Sequence, residues 1–219
     1  MVLPVGGASS SSAAETLEDL LPRADKGDRL AAFTVGAMYH DGDGAPKDLA
    51  KAKKYFLVAA NSNERRAQFN LGLMALTGEG GKADPVEART WFEKSSQGGN
   101  PRAPYQLGLL YYQGIGVEQD FAKSKDEFEK AAMLGLPEAQ FNLAIQYIRG
   151  EGTAQDFVQA YTWLVVARTY GYQSAIDAIP KLEPELTDAQ KADGKKQATA
   201  LSEKIEVDKA LRAAGATGL

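Results

Sequence analysis

His40 is the single histidine of the 219-residue chain, and it stands beside Asp41 and Asp43. An imidazole among carboxylates has the donor set of a metal cluster, or of a general base with its orienting acid. The same side chain near a helix C-terminus is stabilised by the carbonyl end of the helix without any catalytic role, and that plainer arrangement is expected here. Glu183, Glu185 and Asp188 form a second carboxylate group. Acid catalysis would need one of them in an apolar pocket, which the neighbouring sequence does not supply, so a solvated acidic loop is expected. Four Gly-x-Gly triplets, starting at Gly42, Gly78, Gly114 and Gly150, invite a phosphate-binding reading. That chemistry requires a preceding strand and further glycines or a Lys-Ser/Thr pair afterwards, and nucleotide binding is not expected.

No catalytic residue, metal site or cofactor is therefore expected. The absence of cysteine excludes disulfides, thiolate zinc sites and a cysteine nucleophile. Lys and Arg total 25 against 29 Asp and Glu, a formal charge of −4, so no basic field exists to hold nucleic acid. The longest apolar run, Tyr55 to Ala60, falls far short of the roughly 20 residues that span a bilayer, and a soluble protein is expected. Residues 1–14 are a low-complexity stretch ending in four serines and two alanines, read as a disordered leader. Its short apolar piece before Ser-Ala-Ala also resembles the tail of a secretory signal.

What organises the chain is a spacing of 36 residues. It relates Gly36, Gly72, Gly108 and Ala144; both glycines of every Gly-x-Gly triplet; Ala31, Ala67, Ala103, Ala139 and Ala175; and Asp48, Asp84, Asp120 and Asp156. Trp91 and Trp163 recur at twice that spacing and are assigned to the core rather than to ligand stacking. Within each unit, apolar residues recur at helical intervals in two blocks separated by the triplet, predicting a helix pair. The glycines end the first helix, and the aspartate accepts orphan amides at the start of the second. Asp84 with Glu87, Asp156 with Gln159 and Thr187 with Gln190 have capping-box spacing. One such pair cannot bury its apolar face alone, whereas stacked pairs can. The expected fold is all-α: a right-handed α-α superhelical solenoid of four full 36-residue helix-pair repeats, about 28–63, 64–99, 100–135 and 136–171, within a domain spanning 15–186. The array is expected to stop at Pro180 and Pro184, and residues 187–219 to form a C-terminal capping helix and tail, with Gly194 a weak point in that helix.

The run PEAQFNLA from Pro137 to Ala144, followed by Tyr147, Gly150-Glu151-Gly152, Asp156, Ala160 and Trp163, resembles the Sel1-like repeat family. The third unit, with Gly108, Tyr111, Gly114, Gly116, Asp120, Ala131, Ala132 and Gly135, is similar. The resemblance implies a non-enzymatic, adaptor-like solenoid that assembles or regulates other proteins, mostly in bacteria, with a periplasmic or secreted location favoured over a cytoplasmic one. It also admits an immunity protein that neutralises a secreted toxin. One cysteine-rich branch of the family is associated with penicillin binding and weak lactam hydrolysis, but the missing cysteines put that activity in doubt.

In a related solenoid geometry, one stripe of each first helix faces the inner curve. Here it carries Phe33, Thr34, Ala37 and His40; Phe69, Asn70, Leu73 and Leu76; Tyr105, Gln106, Leu109 and Tyr112; and Phe141, Asn142, Ile145 and Ile148, with Arg66, Arg102 and Arg149 as nearby cations. Such a surface suits an extended peptide or an amphipathic helix of a partner protein. Phe33, Phe69, Tyr105 and Phe141 are expected to pack between units, which leaves positions 73, 76, 109, 112, 145 and 148 as the main contacts. Some tetratricopeptide relatives grip a terminal carboxylate with lysines in this region, and those lysines are absent here. A monomer or weak oligomer is expected.

Overall fold

The computed structural model describes residues 15–214, in which eleven α-helices and one 3-10 turn follow each other without a strand among the described residues. The leader at 1–14 and the tail at 215–219 lie outside the described residues. The helices are α1 (Leu17–Asp25), α2 (Arg29–Asp41), α3 (Leu49–Asn61), α4 (Arg65–Thr77), α5 (Pro85–Gln97), α6 (Arg102–Gln113), α7 (Phe121–Met133), α8 (Pro137–Arg149), α9 (Phe157–Thr169), α10 (Gln173–Leu182) and α11 (Asp188–Ala213). From α1 to α10 each packs on its neighbours in the chain, the signature of an α-α solenoid, and α11 folds back onto α9.

The aspartate column closes each unit twice over. Backbone amides of Asp48, Asp84, Asp120 and Asp156 donate to the carbonyls of Tyr39, Ala75, Tyr111 and Tyr147 at 2.7–3.0 Å, which satisfies an orphan carbonyl of the first helix. Their side chains accept amides at the start of the second helix, for example from Val158 and Gln159 to Asp156 at 2.9 Å. The capping boxes expected at Asp84 and Asp156 form only this half. Glu87 instead accepts the Trp91 indole hydrogen at 3.2 Å, and Gln159 donates to Gln197 Oε1 at 3.0 Å. A tertiary or helical partner outcompetes a solvent-exposed backbone amide. The complete box appears at Thr187 with Gln190, and also at Thr16 with Asp19 at the start of α1.

Two glycine columns bring helices and loops into contact. A Cβ on Gly36, Gly72 or Gly108 would lie 2.5–2.6 Å from the ring of Phe56, Phe92 or Phe128 on the partner helix. In the fourth unit the same pair is Ala144 and Leu164, a methyl gained on one side and a ring lost on the other. The second glycine of each later triplet docks on the first residues of the preceding unit's second helix: Gly80 against Leu49, Gly116 against Pro85, and Gly152 against Phe121. Ala31, Ala67, Ala103, Ala139 and Ala175 are all buried where helices cross.

The C-terminal end refines two expectations. The helix of the incomplete fifth unit, α10, runs two residues past Pro180 to Leu182; Pro184 sits in the 3-10 turn Glu183–Glu185 that follows, and α11 then returns onto α9 in place of a further repeat. Pro180 is exposed in the last turn, where one hydrogen bond is missing and the Glu183 amide still reaches the Ile179 carbonyl. Gly194 does not interrupt α11. It is buried where α11 crosses α9, and a Cβ there would lie 2.8 Å from the Tyr161 ring. The propensity cost of glycine is offset by that close approach.

Candidate functional site

The predicted stripe divides into a packed part and an open part. Phe33, Phe69 and Tyr105 tilt onto Phe56, Phe92 and Phe128 at ring distances of 5.6–5.9 Å, within their own units rather than between units. Phe141 has Leu164 below it instead of a ring, and reaches Tyr172 of the next unit at 5.6 Å. Phe69 is only 8% exposed, so little of it remains for a partner. Leu73 and Leu76 pack against the cluster around Phe92 and Leu107. Asn70 and Gln106 are half-buried, Arg102 is exposed, and none of the three lines either cavity described next.

The open part lies along α6, α8 and α10. Leu109, Tyr112, Asn142, Ile145 and Arg149 converge with Gln113, Phe128 and Phe141 around a cavity of about 380 Å³. Ile145, Phe141 and Ile148 continue into a second cavity of about 760 Å³, whose far wall is built from Phe157, Ala178, Lys181 and Leu182. Phe141 and Ile145 belong to both, so the cavities form one continuous surface, mainly apolar with a few polar groups at its edges. The far wall comes mainly from α10, the helix of the incomplete fifth unit, which contributes no residue to the stripe expected from the sequence. Asp177, Ala178 and Lys181 stand 36 residues after Phe141, Asn142 and Ile145, so the repeat spacing itself would have found them.

Tyr112 and Arg149 also have an architectural task. Tyr112 Oη donates to Glu151 Oε2 at 2.9 Å and accepts from Arg149 Nη1 at 2.8 Å, tying α6 to the loop of the fourth unit. Burial and the Glu151 carboxylate together push the phenol pKa above its ordinary value. His40 occupies the equivalent position two units earlier and makes the equivalent contact, Nε2 to Glu79 Oε2 at 3.1 Å, with Nδ1 at 2.6 Å from Asp41 Oδ1. Asp43 takes no part in this arrangement. Glu183, Glu185 and Asp188 do not converge: Glu183 accepts the Tyr161 hydroxyl at 3.2 Å, Glu185 lines the larger cavity and Asp188 pairs with Lys191. Trp163 is buried in the core, whereas Trp91 is half-buried under Lys94.

Asp41, with a smaller contribution from Glu79, raises the His40 pKa above its ordinary 6.5 against the opposing effect of burial. Protonation therefore strengthens the contact between the first two units. Its contribution to stability is fully present below pH 6.5 or so and fades as pH rises through the raised value. The sole imidazole gives one set of ring signals, and NMR titration is expected to place its midpoint above that of a model peptide. Asp41→Asn is expected to lower the midpoint most and Glu79→Gln by less; an unshifted midpoint in both variants would contradict the geometry.

The Sel1 repeat family model matches residues 29–64, 65–100, 101–136 and 137–167. Among solved structures, a Sel1 repeat protein from Oxalobacter formigenes is 30% identical, with a TM-score of 0.70, over 76% of this chain and 49% of that one. A protective antigen present in uropathogenic Escherichia coli strains and displaying an SLR fold is 26% identical, with a TM-score of 0.76, over 89% of this chain and 43% of that one. The chain thus spans about half the length of these relatives or somewhat less. No curated protein matches it.

Proposed function

This chain belongs to the Sel1 repeat family, whose repeats generally mediate protein–protein interaction, and we propose that it is a non-catalytic module that holds a protein or peptide partner along α6, α8 and α10. The observation that carries this reading is the continuous apolar surface shared by the two cavities, hinged on Phe141 and Ile145. Its size suits the apolar anchors of an amphipathic helix or extended segment, and the polar groups at its edge, Asn142, Arg149 and Lys181, would orient the backbone or the polar face. The surface is preformed by helix packing, so little ordering entropy opposes binding. Binding would act by scaffolding the partner or by occupying its surface.

The test compares affinity capture from the source cells by the native protein and by a Leu109→Glu/Ile145→Glu variant, with circular dichroism as the control for folding. Both residues are half-buried at the cavity walls, so a carboxylate there can turn to water without unfolding the core. A stoichiometric partner is expected with the native protein and is expected to be lost, by about a hundredfold in affinity, in the variant. Equal capture by both folded proteins would refute the assignment of this surface.

A further inference from the structure

A second recessed site lies at the N-terminal ends of α2 and α4 and shares no residue with the apolar cavities. It encloses about 390 Å³ and is lined by Arg29, Leu30, Asn63, Glu64, Arg65, Arg66 and Gly98. Three guanidiniums face one carboxylate, leaving two positive charges in excess on a chain whose net charge is −4.

The guanidiniums are held in place by contacts that use only part of their donor capacity. Arg66 Nε donates to Glu64 Oε1 at 2.7 Å, and its guanidinium lies 4.2 Å from the centre of the Phe33 ring, which fixes its plane. Arg29 Nε stands 3.6 Å from the other Glu64 oxygen. Arg65 Nη1 donates to the Gly98 carbonyl at 3.1 Å and, among the described residues, meets no carboxylate. Among the described residues no hydrogen bond engages the Nη groups of Arg29 or Arg66. The Glu64 side chain is 8% exposed; burial opposes its ionisation, but hydrogen bonds from Arg66 and the charge of Arg29 hold its pKa below the usual glutamate value. It therefore serves as an internal anchor that orients two arginine forks outward.

We propose that this site binds an acidic segment of a partner protein, through two neighbouring side-chain carboxylates paired with the outward Nη groups of Arg29, Arg65 and Arg66. Planar guanidinium forks match carboxylates in bidentate geometry, and two carboxylates match the two excess charges of the lining. The exposed Leu30 side chain offers an apolar contact for the methylenes of Asp or Glu. A nucleic-acid backbone is disfavoured because only three of the 25 Lys and Arg line this recess and the chain as a whole is acidic.

The test titrates the folded protein with a hexaglutamate peptide and follows the arginine Nε–Hε signals by NMR, with hexalysine and inorganic phosphate as parallel probes. Shifts confined to Arg29, Arg65 and Arg66 are expected with hexaglutamate, and affinity is expected to fall about tenfold in Arg29→Gln/Arg65→Gln, which leaves the Glu64–Arg66 pair and the α4 cap in place. Leu109→Glu/Ile145→Glu is expected to bind hexaglutamate as the native protein does, so failure of the apolar surface and failure of this site are read separately. Absence of shifts, or shifts unaffected by Arg29→Gln/Arg65→Gln, would overturn the proposal. So would phosphate matching hexaglutamate, which would make the recess a general anion sink.

Discussion

Replacing Gly152 with alanine is expected to destabilise the protein far more than replacing Gly171, although both residues have φ of +73°. At Gly171 a Cβ meets nothing within 4 Å, so the cost is that of holding an L-residue in the left-handed region, about 1–2 kcal/mol. At Gly152 the Cβ would fall on the Phe121 carbonyl and lie 2.7 Å from the Ala122 amide nitrogen. Both are backbone atoms at the start of α7, held by the helix and by the Asp120 cap, and they cannot move aside as a flexible side chain would. The loop of the fourth unit must then lift off the third, adding about 1–3 kcal/mol of overpacking cost. Urea unfolding with equal m-values is the measurement: a total of about 2–5 kcal/mol is expected for Gly152→Ala against about 1–2 kcal/mol for Gly171→Ala. Equal midpoints for the two variants would show that the loop does not dock as described. Because solenoid stability is carried by interfaces between adjacent units, the same substitution is also expected to loosen the α6–α8 wall of the smaller apolar cavity.

Gly108→Ala is expected to cost about 2–3 kcal/mol on its own and much less beside Phe128→Leu. The added methyl would lie 2.6 Å from the Phe128 ring, which is itself almost fully buried and cannot swing away. Shortening that ring to leucine costs about 1–2 kcal/mol by leaving a cavity, and the alanine methyl then fills part of it. The protein already contains the compensated pair, since Ala144 and Leu164 hold the equivalent positions in the fourth unit and both are completely buried. A double-mutant cycle followed by urea unfolding is expected to show a favourable coupling of about 1–2 kcal/mol, and simple additivity would rule out the lock between these columns. Phe128 also lines the smaller cavity, so Phe128→Leu is expected to alter partner affinity even where stability is restored by Gly108→Ala.

Much of the architecture is legible in the residues because its causes are local and repeated. The aspartate of each unit caps the helix that begins at the next residue, Asn63 takes the left-handed place held by glycine in the other units, and Thr187 closes its box with Gln190 three residues on. Interactions of short sequence separation depend mainly on residue type, and a spacing of 36 repeats the same pattern four times. The groove was legible in outline for the same reason. The helical spacing places Leu109, Asn142 and Ile145 on one stripe, these residues line the cavities, and the continuation through Ala178 and Lys181 obeys the same period.

What only the tertiary structure decided concerns residues whose fate depends on a partner distant in the chain, on the facing helix of the same unit or in the next unit. Phe69 and Phe141 occupy the same column, yet Phe69 is buried on Phe92 while Phe141 stands over a leucine and opens to both cavities. Tyr112 and His40 turn from apparent contact residues into ties between neighbouring units because Glu151 and Glu79 arrive from loops 39 residues away. Arg66 leaves the groove for a recess organised by Glu64, and Gly194 is tolerated because the Tyr161 ring approaches where a side chain would otherwise stand. Sequence periodicity determined the helices of the four units and their aspartate caps, since each follows from contacts within one unit. The division of each column into buried, tying and open members was decided by the size and charge of the residues facing it, from the second helix of its own unit or from the loop of the next, a property of the packed pair and not of either residue alone.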